Sequence, residues 1–374
     1  GEIVEWILAE TRVYVFRDPD NAQLLSPLSA RFWIFLAAFA AVVALLRVLP
    51  RWARLSLIAG TGLALRGAVA TQDPYLLADN PLYDDSFYCF SIARNLAHGN
   101  GPMHDSFHLT SGFQPLFVFL IAPIYAFIDD ATAAIGAILI FQSFIGLAGG
   151  WMMASAVARL TRPVFFDWAL AAWALSPAFI KVDLNGLETN LSFLMLAATV
   201  LVYLKDTSAN AGELEPKHAF RLGALLGLAV LARVDNLALA AALALHILLF
   251  APVSQPLERR LHSVFRMAVV MLVIVSPWLA YSYAINGSIL PDGGRAVRFL
   301  SLAYGPQWVM GQSALCFPND VAPPEFYARV AWLALTTIHN ACDGVFPLVG
   351  AALLLVVTRF HALRAHRALL FLPV

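Results

Sequence analysis

The sequence predicts an all-α, polytopic integral membrane protein, and three observations carry that prediction. Of the 374 residues, 60% are hydrophobic and 13% charged, against about 25% charged in an ordinary soluble domain. The apolar residues gather in blocks whose length approaches the roughly 20 helical residues that cross a hydrocarbon core. Lys and Arg cluster in some connecting segments and are sparse in the others, as membrane topology requires. The blocks amount to about nine transmembrane helices.

Taken in order, residues 1–54 form an N-terminal segment with an extra span over 30–49. That span follows a mixed-charge stretch rather than a short basic leader, so no secretory signal is read there. Further spans are expected over 55–70, 133–158, 164–180, 187–204, 219–232, 236–251, 267–285 and 344–358. The apolar pieces 115–128 and 328–338 are too short to cross and read as re-entrant or interfacial. Residues 55–295 make the main transmembrane module, and 296–374 supply a second outer loop and the C-terminal helices. The chain opens at Gly1 and stops at Leu370–Val374, which resembles the start of another apolar segment, so it reads as a fragment.

Basic clusters at Arg47/Arg51/Arg54, Arg159/Arg162, Lys205/Lys217/Arg221, Arg259/Arg260/Arg266 and Arg359/Arg364/Arg367 mark the cytoplasmic side. Segments 71–114, 181–187, 233–235 and 286–327 then face outward, carrying only Arg94, Lys181, Arg233, Arg295 and Arg298 as basic residues. Zero net charge, with no basic run interleaved with aromatics, excludes nucleic acid as a partner. Cys89, Cys316 and Cys342 lack metal-ligand spacing, and an odd count is no disulfide framework, although a Cys89–Cys316 bridge between loops is conceivable.

The first outer loop is the most polar part of the chain, with Asp73, Asp79, Asp84, Asp85 and Asp105. Within it, Tyr83-Asp84-Asp85-Ser86-Phe87-Tyr88 leads to Ala97 and closes on Gly99 and Gly101, the pattern of a short amphipathic helix with both ends marked. Tyr83, Phe87 and Phe90 are expected to lie on the membrane surface. One of Asp84 and Asp85 suits the helix cap. Adjacent carboxylates at the water–lipid boundary also suit a general base, and one can cap while the other works.

Glu188, after Asn185-Gly186, stands at the start of a span, where an ionised carboxylate is costly unless paired or favoured by the helix dipole. Arg233 and Asp235 lie at the same depth, but positions two apart do not share a helical face, which suggests separate partners. Arg233 can hold a phosphate or snorkel to the interface. His104, Asp105 and His108 offer too few ligands after Gly101-Pro102 for a structural metal site, and no metal is assigned.

Four stretches together resemble the GT-C superfamily of membrane glycosyltransferases, which use polyprenyl-phosphate-linked sugars. They are Tyr83–Gly99, Thr110–Phe117, Leu184–Thr189 and Gly227–Asp235, with Asn286–Pro291 a weaker fifth. The likeness covers about residues 55–295 and rests on their order and shared outer placement rather than on any one of them. It implies that Asp84 or Asp85 is the catalytic base, and that Arg94, Gln114, Asn185, Glu188, Arg233 and Asp235 contribute to the substrate site. By the same likeness Arg233 falls where a cation meets the lipid phosphate. The sequence departs from the family pattern at Gln114, often a histidine there, and lacks the large hydrophilic C-terminal region that commonly follows the spans.

The resemblance implies sugar transfer from a lipid-linked donor on the outer face of a bacterial cytoplasmic membrane. Membrane lipids are the surroundings, and a divalent cation is the one cofactor the site could use. The alternative is a catalytically silent structural subunit descended from such an enzyme and partnered by other membrane subunits. A transporter is disfavoured because no span carries the paired acids and bases of an ion path, and Arg66 is the only basic residue well inside one.

Overall fold

The computed structural model describes residues 43–44, 46–78, 81–105, 107–209, 214, 216–250 and 255–289. Several expectations fall outside these residues: most of the 30–49 span, Asp79, the segments from 290 onward, the 344–358 span, and Cys316 with the Cys89–Cys316 bridge.

Among the described residues the chain is helical, with no strand. The helices are α1 (Arg51–Ala70), α2 (Pro74–Leu77), α3 (Asp84–Ala97), α4 (Pro115–Phe127), α5 (Ala131–Leu160) and α6 (Phe165–Leu175). They continue as α7 (Pro177–Asp183), α8 (Thr189–Ala209), α9 (Pro216–Ala232), α10 (Leu237–Phe250) and α11 (Leu257–Asn286).

Two of these, α5 and α11, are long and apolar enough to cross a bilayer, and a third span results if the bent pair α6–α7 acts as one. Helices of that length and composition mark a membrane protein. The count falls below nine because the 30–49 and 344–358 spans lie mostly or wholly outside the described residues, α10 is short, and α1, α8 and α9 do not combine the length and apolarity of a span.

The expected 164–180 span is bent by 65° between α6 and α7. Pro177 takes the first position of α7, and Ser176 before it is extended (φ −72°, ψ 127°). Proline disfavours a helical residue before it and contributes no N–H to the helix it follows. The second helix then runs on to Asp183, so Lys181 and Asp183, read from sequence as an outer turn, are buried helical residues.

Contacts between helices fix the direction of the bundle. At one end, Arg54 of α1 pairs with Asp167 of α6 at 2.9 Å, and Arg221 of α9 pairs with Asp206 of α8. At the other, Tyr281 near the end of α11 donates to the Thr110 carbonyl (3.1 Å), and Asn286 donates to Ser111 (2.9 Å). Segment 98–114 and the C-terminal end of α11 therefore share one end, opposite Arg259 and Arg260. Gly136, early in α5, sits against the carbonyl of Ala70, the last residue of α1. Helix α4 connects segment 98–114 to the start of α5.

Helices α9 and α11 run parallel. A Cβ at Gly223 would lie 2.5 Å from the Met267 carbonyl oxygen, and one at Gly227 would lie 2.8 Å from Ile274 Cβ. Two small residues four apart let the backbones approach closely enough for van der Waals packing to hold them in lipid. Replacing Gly223 by Ala is expected to cost about 1–3 kcal/mol by overpacking. Thermal unfolding of the purified chain would register the cost, and an unchanged midpoint would show the helices free to separate.

Helix α3 buries one face, formed by Ser86, Cys89, Phe90, Ile92 and Ala93. Phe90 joins the core instead of the membrane surface, while Tyr83 and Phe87 remain exposed. The reason is position: Phe90 lies four residues after Ser86 and three before Ala93, both buried, and so shares the face that packs against α4 and its neighbours.

Candidate functional site

The end of the bundle that holds α3 gathers most of the acidic candidates. Asp84 and Asp85 occupy the first two positions of α3, where the free N–H groups and helix dipole favour negative charge. Neither is the N-cap, which is Tyr83. Asp84 instead accepts the backbone N–H of Asp85 at 2.9 Å, and among the described residues the Asp85 carboxylate accepts no hydrogen bond. Partial burial, reinforced by the adjacent Asp84 charge, raises the Asp85 pKa above its ordinary value. The cap expected of one member of the pair is not formed, because the helix begins at Asp84 itself and places both carboxylates inside its first turn.

The turn after α7 packs directly on this helix start. Tyr83 N–H donates to the Asn185 carbonyl at 3.4 Å. Gly186 has φ +74°, and a Cβ there would meet Ser86 Cβ at 2.5 Å, so both the backbone conformation and the close approach require glycine. Asn185 is buried and its side chain is taken up by the turn, accepting Leu187 N–H (2.9 Å) and donating to Thr189 (3.0 Å). Its role in this structure is to shape the turn that presents Glu188.

Glu188 is buried and meets Arg233 Nη1 across 3.4 Å. The turn that precedes Glu188 packs on the start of α3 through the Tyr83–Asn185 hydrogen bond and the Gly186–Ser86 approach, which brings the two acidic elements to one end of the bundle. Arg233 also donates through Nε to Asp235 at 2.9 Å. Separate partners were expected for these two residues, and the structure corrects that expectation. Arg233 is extended (φ −162°) and residues 234–236 form a 3-10 turn, so the helical spacing argument does not apply and Asp235 folds back onto the guanidinium. With side chains 42% and 77% exposed, the Arg233–Asp235 pair is weakly held and can yield to another anion.

Arg94 and Gln114 stand apart from this cluster. Arg94 is in the last turn of α3, ten residues and about 15 Å along the axis from Asp84, where its charge acts on Tyr125 of α4. Gln114 precedes α4 without a side-chain cap bond. Among the described residues no hydrogen bond or ion pair joins either to Glu188 or Arg233. Asp105 accepts the N–H groups of Phe107 and His108 and pairs with the His108 ring, contacts that hold its pKa well below the usual carboxylate range. Among the described residues no three His, Cys, Asp or Glu side chains are grouped to hold a metal ion. Cys89 is buried beneath the cluster, and burial, with Glu188 and Asp85 adding to it, pushes its thiol up to about 12, so it is inert.

Beneath the turn lies a polar layer that the sequence reading missed. Arg66, fully buried, contacts one oxygen of Asp183 through Nε (2.9 Å) and Nη2 (2.8 Å). It also donates to the carbonyls of Gly62 (3.1 Å), Ala174 (2.7 Å) and Trp173 (3.2 Å). Gln142 donates to the Leu187 carbonyl (2.6 Å), and Asn190 to those of Gln142 (2.7 Å) and Asp183 (3.1 Å). This layer fixes the turn on which Asn185 and Glu188 stand. The available signal was the rule that intramembrane charges pair: Arg66 called for an acid, and Asp183 is a carboxylate amid apolar neighbours.

The bundle end opposite the basic clusters thus carries a carboxylate of raised pKa, Asp85, and a half-exposed guanidinium, Arg233, on elements that meet through the Asn185–Gly186 turn. Such a pair can remove a proton from a hydroxyl and stabilise a departing anion. Neither a protein-family model nor a curated protein nor a solved structure matches the chain.

Proposed function

We propose that this chain is a GT-C-like membrane glycosyltransferase of about nine spans, acting at the outer face of a bacterial cytoplasmic membrane on a polyprenyl-phosphate-linked sugar. The observation that carries the reading is the meeting of the Asp84/Asp85 helix start with Glu188 and Arg233 at one end of the bundle. Asp85 takes the proton of the acceptor hydroxyl, and the acceptor oxygen attacks the anomeric carbon from the face opposite the phosphate. The bond from that carbon to the phosphate oxygen breaks, its electron pair leaves with the lipid phosphate, and the configuration inverts. Arg233 meets the developing phosphate charge by exchanging Asp235 for it. A donor whose tail stays in the bilayer suits a site at the end of membrane helices.

The second reading, a structural subunit derived from such an enzyme, draws on the capture of Asn185 by its own turn and of Arg233 by two carboxylates. The deciding experiment is reconstitution of the full chain with a panel of polyprenyl-phosphate hexoses and pentoses, following release of polyprenyl phosphate. Turnover that needs Asp85 supports the enzyme. No release from any donor favours the subunit, whereas release indifferent to neutralising both Asp84 and Asp85 removes these residues from the mechanism.

The raised pKa of Asp85 gives this assay a pH signature. A base must be unprotonated, so the acid limb of kcat/KM should lie above the ordinary aspartate value of 3.8. Asp84→Asn removes one cause of the rise, and the limb should move to lower pH. A limb that stays in place would separate Asp85 from the proton transfer.

A further inference from the structure

We propose that a groove between α9 and α11, at the bundle end remote from the Asp85 site, binds one anionic phospholipid. The groove is open, with a volume of about 630 Å³, and is lined by Lys217, Phe220, Phe265, Arg266, Val269 and Val270. Two cations and four apolar side chains, with no acid among them, match an amphiphile with a negative head and a hydrocarbon tail. Phe220 and Phe265 are 61% and 66% exposed, an apolar surface that a membrane protein presents to acyl chains rather than to water.

The charges are placed where a headgroup would lie. Lys217 is in the first turn of α9, whose N-terminal dipole adds to the attraction for a phosphate. Arg266 stands on α11 at the end that also carries Arg259 and Arg260, so headgroup depth coincides with the basic rim. Along α11 the surface continues apolar through Val269, Leu272 and Val273, all exposed. A tail leaving the groove would follow this face toward the middle of the span. The close α9–α11 contact at Gly223 and Gly227 makes the groove floor rigid.

The test is native mass spectrometry of the full chain released from nanodiscs containing neutral phosphatidylcholine and a minority of phosphatidylglycerol. The wild type should retain phosphatidylglycerol in preference to phosphatidylcholine. Lys217→Ala with Arg266→Ala should weaken retention by about 30-fold, roughly fivefold for each cation, whereas Lys217→Arg with Arg266→Lys should keep it. Arg259→Ala, outside the groove, should leave it unchanged. Equal retention of both lipids by the wild type, as would follow if another protein segment or a second copy covered the groove, overturns the proposal. So does an Arg259→Ala effect as large as that of the groove pair, which would reduce the site to a generally basic rim.

Discussion

Asp85→Asn is expected to lower sugar-transfer turnover by about 10²–10⁴-fold, the usual worth of a general base. The amide is close in shape to the carboxylate but cannot accept the acceptor's proton. Asp85 is the member of the pair placed for this work, because Asp84 already accepts the Asp85 N–H while the Asp85 carboxylate stands exposed. Asp84→Asn should spare most of the turnover, losing about 0.3–1 kcal/mol of helix-dipole stabilisation and shifting the pH profile. Steady-state rates with one donor and acceptor, measured beside thermal unfolding, separate the two effects. Equal rates for wild type and Asp85→Asn would remove the residue from the chemistry, and a loss matched by unfolding would assign it a structural role.

Arg66→Leu alone and Asp183→Leu alone should each destabilise the protein by about 3–5 kcal/mol, because each leaves an uncompensated charge in a buried site. Both side chains are fully buried, and Arg66 also satisfies three backbone carbonyls. The combined replacement should recover much of the loss, since two apolar side chains can fill the space without a desolvated charge. Unfolding of the purified chain in mixed micelles would measure all three variants. Additive losses would show that the pair contributes no coupling. A further expectation follows from the packing of Gly146, where a Cβ would overlap the Asp183 carboxylate. Gly146→Ala should be destabilising with Arg66–Asp183 present and better tolerated where Asp183 is Ala.

How far the sequence reaches can be judged residue by residue. Helix positions follow from local information: apolar runs place α5, α9 and α10 within a few residues, and the aspartates before an aromatic run place the start of α3. Asn185-Gly186 marks a turn because glycine supplies the positive φ and asparagine folds back on the backbone. The break before Pro177 has a local cause too, yet the apolar run on both sides conceals it, since hydropathy does not distinguish one span from two short helices at an angle.

What the sequence by itself determined is therefore the helical, membrane-embedded character of the chain, the segregation of its basic residues, and the acids that mark the ends of its helices. Tertiary structure alone decided the partners. Arg66 and Asp183 are 117 positions apart, and Glu188 and Arg233 are 45 apart, so no helical period relates them. Arg94 and Gln114 belong to the same quoted stretches as the acidic cluster, yet among the described residues neither side chain makes a hydrogen bond or ion pair with Glu188 or Arg233. Phe90 turned inward for the same reason, because the burial of a face depends on which helix lies across from it. Secondary structure is written by neighbours within a turn or two. Pairing of charges is set by the packing of distant helices, where an unpaired charge is too costly to leave in lipid.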